Sequence, residues 1–235
     1  MNIEKFEMLY EGKAKKIFKY NDEEVIIYFK DDVTAFNGIK KDSISGKGKI
    51  NKKITTFFFE LVEKEGIPTQ FVKDLDENSF IAKKVEIIPL EVIVRNYTAG
   101  SFCKRYGVEK GIKLENPIVE FSLKDDSLGD PMICENVILS LNLVEKDVLE
   151  KLKEYALKIN EILSKFLTEK NIILVDYKLE FGKYNDKILL ADEISPDTCR
   201  FWDKDTMDSL DKDVYREEKG DLIDKYTEFL RRIDI

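Results

Sequence analysis

The amino-acid sequence predicts an α+β fold, on three observations. Residues 6–94 consist mainly of short apolar segments with the spacing of β-strands, interrupted by one helical segment. Residues 145–171 have the apolar periodicity of a long amphipathic helix. Residues 171–194 contain two more strand-like segments separated by a tight turn. Because strands and helices do not alternate regularly, a parallel sheet built from βαβ units is not expected.

The first half of the chain is predicted to be rich in strands. The predicted strands are MLYEG, KKIFKY, EEVIIYFKDD, TQFVKD, SFIAKKVEI and EVIVRN. Apolar residues recur every three or four positions in 49–66, which predicts a helix that ends at Gly66. The basic segment 40–53 that leads into this helix is interpreted as solvated; the alternative is a loop that closes over a substrate.

The second half is predicted to contain a core helix, a hairpin and a terminal helix. The apolar stripe of the core helix is formed by Val148, Leu152, Tyr155, Ile159, Ile162 and Phe166. The two strands NIILVDYKLEFGKY and DKILLADEI flank a turn at Asn185 and Asp186, which is typical of a β-hairpin. A charged helix is expected near 219–233.

The composition excludes several classes of chemistry. The 235 residues include no histidine, which rules out Ser/His/Asp hydrolases, phosphohistidine intermediates and histidine-bound metals. The three cysteines, Cys103, Cys134 and Cys199, form no CxxC pair and predict neither a zinc site nor a disulfide framework. Metal binding would therefore use oxygen ligands, which suit a hard ion such as Mg²⁺.

Charge and hydropathy indicate the compartment and the class of partner. With 39 basic and 47 acidic side chains the formal net charge is −8, so nucleic-acid binding is not expected. The longest uncharged run, residues 136–144, is about half of the roughly 18–20 residues that a membrane-spanning helix needs. The charged amino terminus does not resemble a signal peptide. We therefore expect a cytoplasmic protein without a membrane partner, in which a local basic cleft could still receive a phosphorylated small molecule.

The predicted hairpin has the strongest local pattern of chemically active residues. Side chains alternate along a strand, so Asp176, Lys178 and Glu180 share one face. Pairing across the turn places Asp192 opposite Glu180 or one residue off. Two carboxylates about 5 Å apart repel by about 3 kcal/mol at an effective dielectric constant near 20. A divalent cation would remove this repulsion; alternatively Lys178 neutralises the acids, or the register moves one of them into solvent.

The GKAK segment is a candidate phosphate-binding turn between the first two strands. Gly12 would let backbone N–H groups approach a phosphate, and Lys13 and Lys15 could contact its oxygens from one face. The alternative is a solvated hairpin turn, since the chain contains neither GxxxxGK[ST] nor GxGxxG.

The segment IIPLEVIVRNYTAGS is a candidate anion site. Arg95 is one of only six arginines, and its guanidinium group can bind a carboxylate or phosphate through two parallel hydrogen bonds. Gly100 and Ser101 open a predicted short helix that adds a hydroxyl and free N–H groups. The alternative is an Arg95–Glu91 ion pair, with Ser101 as a plain N-cap.

A second arginine, Arg200, follows a turn formed by residues 195–197. This turn lies directly beyond Asp192, so it predicts that Arg200 returns toward the same end of the hairpin. The alternative is an ordinary turn that anchors Trp202 in the core.

Two long motifs, IIPLEVIVRNYTAGS at 87–101 and LVDYKLEFG at 174–182, resemble signatures of the SAICAR synthetase family, the phosphoribosylaminoimidazole-succinocarboxamide synthases. The resemblance extends from about residue 9 to 232. Its supporting segments are YEGKAKKIF, KRYGVEKG, DPMICEN, ADEISPDTCRFWD and LDKDVYR. The resemblance implies a two-lobed α+β fold related to ATP-grasp enzymes, with antiparallel sheets and a nucleotide cleft between the lobes. The expected lobes are a β-rich lobe at 1–88 with the phosphate turn, and an α+β lobe at 89–235 with the hairpin and the substrate site.

The resemblance also implies an ATP-dependent ligase of de novo purine biosynthesis. It would join L-aspartate to the carboxylate of carboxyaminoimidazole ribonucleotide, giving SAICAR, ADP and phosphate. The substrate carboxylate would first accept a phosphoryl group, and the aspartate amine would attack the resulting acyl phosphate. By resemblance, the ATP phosphates are bound by Gly12, Lys13, Ala14 and Lys15, together with Glu180 and Asp192 as ligands of Mg²⁺.

The substrate residues are likewise assigned by resemblance. Arg95, Ser101 and Arg200 would hold the phosphate of the ribonucleotide, and Lys178 and Asp176 would face the reacting groups. Segments 34–38 and 45–49 would enclose the substrate. Asn37 stands where many relatives have aspartate, so the aspartate-binding residues stay unassigned, and the resemblance leaves a homodimer open.

Two other functions use the same residues. The first is a kinase-like phosphotransferase with a hydroxyl acceptor, although an HRD-like catalytic loop is missing from the sequence. The second is a non-catalytic nucleotide- or anion-binding module in which Glu180 and Asp192 are only a structural pair.

Overall fold

The computed structural model of the chain describes residues 3–35 and 40–235, and two antiparallel sheets dominate its architecture. The first sheet contains, in spatial order, β1 (Met8–Glu11), β2 (Lys15–Lys19), β3 (Glu24–Phe29), β7 (Ser79–Lys83) and β6 (Phe71–Asp74). The second contains β10 (Met132–Ile133), β9 (Lys113–Leu123), β8 (Glu86–Tyr97), β11 (Ile172–Tyr184) and β12 (Lys187–Ala191), with β13 (Cys199–Asp203) also paired to β11. A separate pair is formed by β4 (Asp32–Ala35) and β5 (Lys40–Ser43).

Six α-helices and one short 3₁₀ helix complete the described part of the chain. They are the 3₁₀ helix Ile3–Lys5, α1 (Lys47–Lys64), α2 (Gly100–Tyr106), α3 (Glu135–Ser140), α4 (Lys146–Glu169), α5 (Asp213–Arg216) and α6 (Leu222–Arg232). The α+β prediction is confirmed. In 3–35 and 40–235, no helix is both long and apolar enough to cross a membrane.

The predicted hairpin is present as β11 and β12. Tyr184 pairs with Lys187, and the two residues between them make the turn, with Asn185 in the left-handed region at φ 53°. Asparagine tolerates this conformation better than most residues do, which explains why it occupies this position of the turn. The turn is therefore where the sequence predicted it.

The segment that leads into α1 is less exposed to solvent than the sequence predicted. Lys47 is fully buried, with its Nζ 2.6 Å from Asp197 Oδ2. At Gly48 a Cβ atom would lie 2.4 Å from the carbonyl oxygen of Phe29, so only glycine lets the first turn of α1 approach β3 this closely. The prediction of a solvated entrance is wrong for Lys47 and Lys52, which tertiary packing covers, whereas Lys41, Lys49 and Lys53 are exposed. Asn37 and most of segment 34–38 lie outside the described residues.

The buried face of α4 is rotated from the predicted stripe. The fully buried apolar residues are Leu149, Leu152, Ala156, Ile159, Leu163 and Leu167. The other four stripe residues, Val148, Tyr155, Ile162 and Phe166, are only partly buried. Because α4 packs on β11 and also contacts α1, its apolar surface is wider than one stripe, and the sequence alone did not locate its centre.

The two sheets share one hydrophobic core, which includes Phe80 of the first sheet and Leu179 of the second. The first sheet ends at Lys83 and the second begins at Glu86, so the expected division at 88/89 falls within β8. The division into two lobes stays a prediction, since residues of both sheets pack into the same core.

Asp203 provides a test of stability against pH. Its carboxylate accepts the N–H groups of Thr206 and Asp205, both at 2.8 Å, and lies 2.6 Å from Arg232. The N–H of Thr206 and the charge of Arg232 lower the pKa of Asp203 from 3.8 to about 2. A lowered carboxyl pKa stabilises the fold above pH 4, and this contribution is lost as pH falls from about 4 to 2.

Asp203→Asn is therefore expected to lower the free energy of unfolding by about 1 kcal/mol at pH 7, and by less at pH 3. Urea denaturation at both pH values measures this, with Asp186→Asn at the exposed hairpin turn as the control. An equal loss at pH 7 and pH 3 would contradict the assignment.

Candidate active site between the two sheets

A cleft of about 580 Å³ lies between the β1–β2 turn and the β11–β12 hairpin. Three isoleucines line part of it: Ile17, Ile27 and Ile87. Its charged lining includes Lys13, Lys15, Glu91, Lys124, Lys178, Glu180, Asp192, Glu193 and Lys212. An apolar wall with converging charged groups is typical of a site for a charged small molecule.

The GKAK turn forms one edge of the cleft. The N–H of Gly12 donates to the carbonyl of Lys15 at 2.9 Å and closes the connection between β1 and β2. The two lysines contact different acids: Lys13 pairs with Asp126 at 2.7 Å, whereas Lys15 pairs with Asp192 and, at 3.0 Å, with Glu193. Gly12, Lys13, Ala14 and Lys15 all line the cleft, but the two ammonium groups do not share a partner. Their role toward phosphate stays a prediction.

The hairpin brings both predicted metal ligands into the same cleft. Glu180 pairs with Ala191, so Asp192 lies one residue beyond the directly opposed position. Glu180 accepts from Lys178 at 2.8 Å and from Lys124 at 3.1 Å, while Asp192 accepts from Lys15. Lys178 therefore neutralises Glu180, as in one of the alternatives to metal binding, and the metal assignment stays a prediction.

The charges in the cleft stabilise one another. Burial disfavours the charged form of Lys15, but Asp192 and Glu193 outweigh this and raise its pKa. Burial acts in the same way on Lys178, whose pKa is nevertheless well above its usual value because of Glu180 and Asp192. Burial would raise the pKa of Asp192, but Lys15 and Lys178 lower it. These directions favour the charged forms of Lys15, Lys178 and Asp192 at neutral pH.

A second cluster surrounds Asp176, which is buried. Asp176 pairs in register with Arg95 of β8 on one side and with Arg200 of β13 on the other. Both guanidinium groups donate to its carboxylate at 2.9 Å. Arg95 also donates to Glu120 at 2.6 Å, and Arg200 to Asp213 at 2.7 Å. The alternative Arg95–Glu91 ion pair is therefore not formed.

The start of α2 lies against this arginine cluster. Gly100 has φ 53°, and a Cβ atom there would lie 2.3 Å from Arg200 Nη2, so the position requires glycine. Ser101 is exposed, and its hydroxyl accepts from Arg105 Nη1 at 3.3 Å. Ala99 precedes the helix, so the alternative role of Ser101 as N-cap is not observed.

The predicted residues thus form two groups joined by β11. Lys178 and Glu180 line the cleft, while Asp176, two residues earlier on the same strand, lies with Arg95 and Arg200. The side chains of Asp176 and Lys178 share a face of β11, which links the two groups.

Several cleft residues were not predicted from the sequence. Glu91 pairs with Glu180 across β8 and β11 and binds Lys178 at 2.7 Å, so the register of two adjacent strands would have found it. Glu193 follows Asp192 directly. Lys124 and Lys212 have no local sequence signal, because loops far from the hairpin in sequence bring them into the cleft.

Comparisons with known proteins identify the family of the chain. The sequence profile described as SAICAR synthetase matches residues 8–233. A phosphoribosylaminoimidazole-succinocarboxamide synthase of Caldanaerobacter subterraneus is 56% identical over 98% of this chain and 99% of its own length. A solved SAICAR synthetase in complex with ADP is 51% identical with a TM-score of 0.94, covering 97% of both chains. The enzyme from Ehrlichia chaffeensis is 45% identical with a TM-score of 0.95, covering 97% of this chain and 98% of its own. The chain therefore belongs to the SAICAR synthetase family.

Proposed function

We propose that this cleft joins L-aspartate to the carboxylate of carboxyaminoimidazole ribonucleotide, with conversion of ATP to ADP and phosphate. The observation that carries the proposal is the match to the SAICAR synthetase family over residues 8–233. The reaction makes the chain an ATP-dependent C–N ligase of de novo purine biosynthesis. The ADP held by a relative that is 51% identical supports nucleotide binding by this fold.

We assign the nucleotide to the wall formed by the β1–β2 turn. Ile17, Ile27 and Ile87 offer an apolar surface for the base, and backbone N–H groups near Gly12 can approach the phosphates. Lys15, which carries its charge at neutral pH, would contact phosphate oxygens. Phosphoryl transfer depends mainly on alignment and charge neutralisation, which these groups can supply without histidine.

Glu180 and Asp192 fit Mg²⁺ as a pair. In the described part of the chain, no group of three acidic or cysteine side chains forms a metal site by itself. Mg²⁺ usually needs only one or two protein carboxylates, because substrate phosphates and water complete its coordination. When bound there, the ion would neutralise charge on phosphate oxygens. Lys15, Lys124 and Lys178 hold the two acids in the cleft.

The arginine cluster is assigned to the phosphate of the ribonucleotide, with Ser101 at its edge. Transfer of the γ-phosphoryl group to the substrate carboxylate gives an acyl phosphate, and the attacking amine expels phosphate from it. Lys178 would stabilise the charge that develops on these oxygens. Asp176 already accepts from Arg95 and Arg200, which favours a phosphate oxygen as the proton acceptor and a positioning role for Asp176.

We propose that the enzyme acts in the cytosol on these small molecules alone, without nucleic acid or a membrane. A homodimer would cover exposed apolar side chains on β10 and on and just after α3, namely Met132, Val137 and Leu141.

ADP release is expected to require all of ATP, Mg²⁺, the carboxylated ribonucleotide and L-aspartate. A coupled assay that omits one component at a time measures this requirement. ADP release without aspartate would favour a kinase-like activity instead. If no ADP is released with all components present, the result would favour a non-catalytic nucleotide- or anion-binding module.

Arg95→Lys is expected to raise KM for the ribonucleotide about 10- to 100-fold and KM for ATP less than about twofold. The loss of a charge-assisted hydrogen bond costs about 1.5–3 kcal/mol, and lysine cannot reproduce the fork of a guanidinium group. Steady-state kinetics with each substrate varied measures the difference, and Arg231→Lys on the exposed end of α6 is the control. Equal effects on the two KM values would argue against the assigned phosphate site.

A further inference from the structure

Gln70 lies where the two sheets meet and is bonded to both of them. Its backbone N–H donates to the carbonyl of Leu190 on β12, at 2.9 Å. Its backbone carbonyl accepts from the N–H of Lys83 on β7, at 2.7 Å. Only 3% of the residue is exposed, and it lines the cleft. The position of Gln70 is therefore defined by both sheets.

The side-chain amide of Gln70 reaches the backbone of Asp192. Its Nε2 donates to the carbonyl oxygen of Asp192 at 3.3 Å. Asp192 has φ 56°, a left-handed conformation that is unfavourable for a residue with a side chain and persists only when its surroundings hold it. Lys15 holds the carboxylate, and Gln70 holds the peptide group. The carboxylate and the backbone carbonyl of Asp192 therefore each have a partner, one from the first sheet and one from the point where the sheets meet.

We propose that Gln70 is a positioning residue that holds Asp192 in the orientation required for a divalent cation bound with the nucleotide. This inference rests on the metal assignment in the proposed function. Without the side-chain amide of Gln70, the backbone carbonyl of Asp192 loses this hydrogen-bond donor. The carboxylate keeps its hydrogen bond to Lys15, but the ammonium group of Lys15 would also be drawn to the phosphates of the nucleotide.

Gln70→Leu tests the proposal, because leucine removes the donor and fills similar space. The variant is expected to weaken Mn²⁺ binding to the ADP complex about 10-fold or more, as loss of groups that orient metal ligands commonly does. ADP affinity without metal is expected to change less than about twofold. Electron paramagnetic resonance of free Mn²⁺ and calorimetry of ADP measure the two constants.

Asn160→Leu is the matched control. It also removes a buried amide, one that exchanges hydrogen bonds with Asn96 at 2.8 and 2.9 Å, outside the cleft. Mn²⁺ binding by this control is expected to match the wild type. A Gln70→Leu constant within twofold of wild type would overturn the proposal, and so would an equal loss of metal-free ADP binding. If wild-type protein with ADP binds no Mn²⁺, the metal assignment itself fails.

A second measurement needs no variant. Gln70 is the only glutamine in the sequence, so protein labelled with ¹⁵N in the glutamine side chain gives one pair of amide signals. Addition of Mg²⁺ to the ADP complex is expected to shift this pair. Signals that stay unchanged at a Mg²⁺ concentration that saturates the complex would overturn the proposal.

Discussion

Glu180→Gln and Asp192→Asn are each expected to lower kcat about 100- to 1,000-fold while the fold is retained. This is the effect of removing one preorganised charged or polar group aimed at the reacting centre. An amide has nearly the shape of the carboxylate but carries no charge for a cation. The fold should survive because each lysine keeps another acid: Lys178 keeps Glu91 at 2.7 Å, and Lys15 keeps Glu193 at 3.0 Å.

Turnover measured as a function of Mg²⁺ concentration tests this prediction, with circular dichroism as the check on folding. Asp186→Asn, at the exposed turn of the same hairpin, is the matched control and should have wild-type kinetics. Near wild-type kcat in either active-site variant would refute the metal assignment for that residue.

Asp176→Leu is expected to lower the free energy of unfolding by about 3 kcal/mol or more. Removal of one partner from a buried ion pair leaves an uncompensated charge, which typically costs about 3–5 kcal/mol. Only 3% of the Arg95 side chain and 18% of the Arg200 side chain are exposed. The effect should lie at the low end of the range, because Glu120 and Asp213 still contact the two arginines.

Urea denaturation without ligands measures this loss. Glu154→Ala is the control, since it breaks an ion pair with Lys151 in which both side chains are exposed. Exposed pairs contribute about 0–1 kcal/mol, so the control should change stability little. A loss below about 1 kcal/mol for Asp176→Leu would mean that solvent or neighbouring acids compensate the arginines.

The hairpin and the arginine segment differ in how far local pattern determines structure. The alternation along β11 and the turn at Asn185 are local properties. They correctly predicted that Asp192 lies within one residue of the position opposite Glu180 in the hairpin. The same reasoning missed the ion pairing of Arg95, because its partners Glu120 and Asp176 come from the two strands that flank β8. The alternation of side chains along one strand does not predict which strands lie beside it in the sheet.

In helix α1 and the segment before it, local sequence pattern again predicted the secondary structure but not the contacts with distant residues. The spacing of apolar residues predicted the helix, but a charged side chain such as Lys47 is normally placed in solvent from sequence alone. Its burial became favourable only because Asp197, about 150 positions later in the chain, lies 2.6 Å away. Compensation of a buried charge is a property of the folded chain.

By itself, the sequence determined the α+β class, the main helices, the hairpin turn, and the long motifs that identify the family. These features depend on periodicity, turn chemistry and the order of residues within short segments. Only the tertiary structure decided which lysine neutralises which acid and that Asp176 lies between two arginines. It also decided that Gln70 bonds to both sheets and donates to the carbonyl of Asp192. The reason is physical, since electrostatic and hydrogen-bond energies depend on distances between groups that the chain brings together from remote positions.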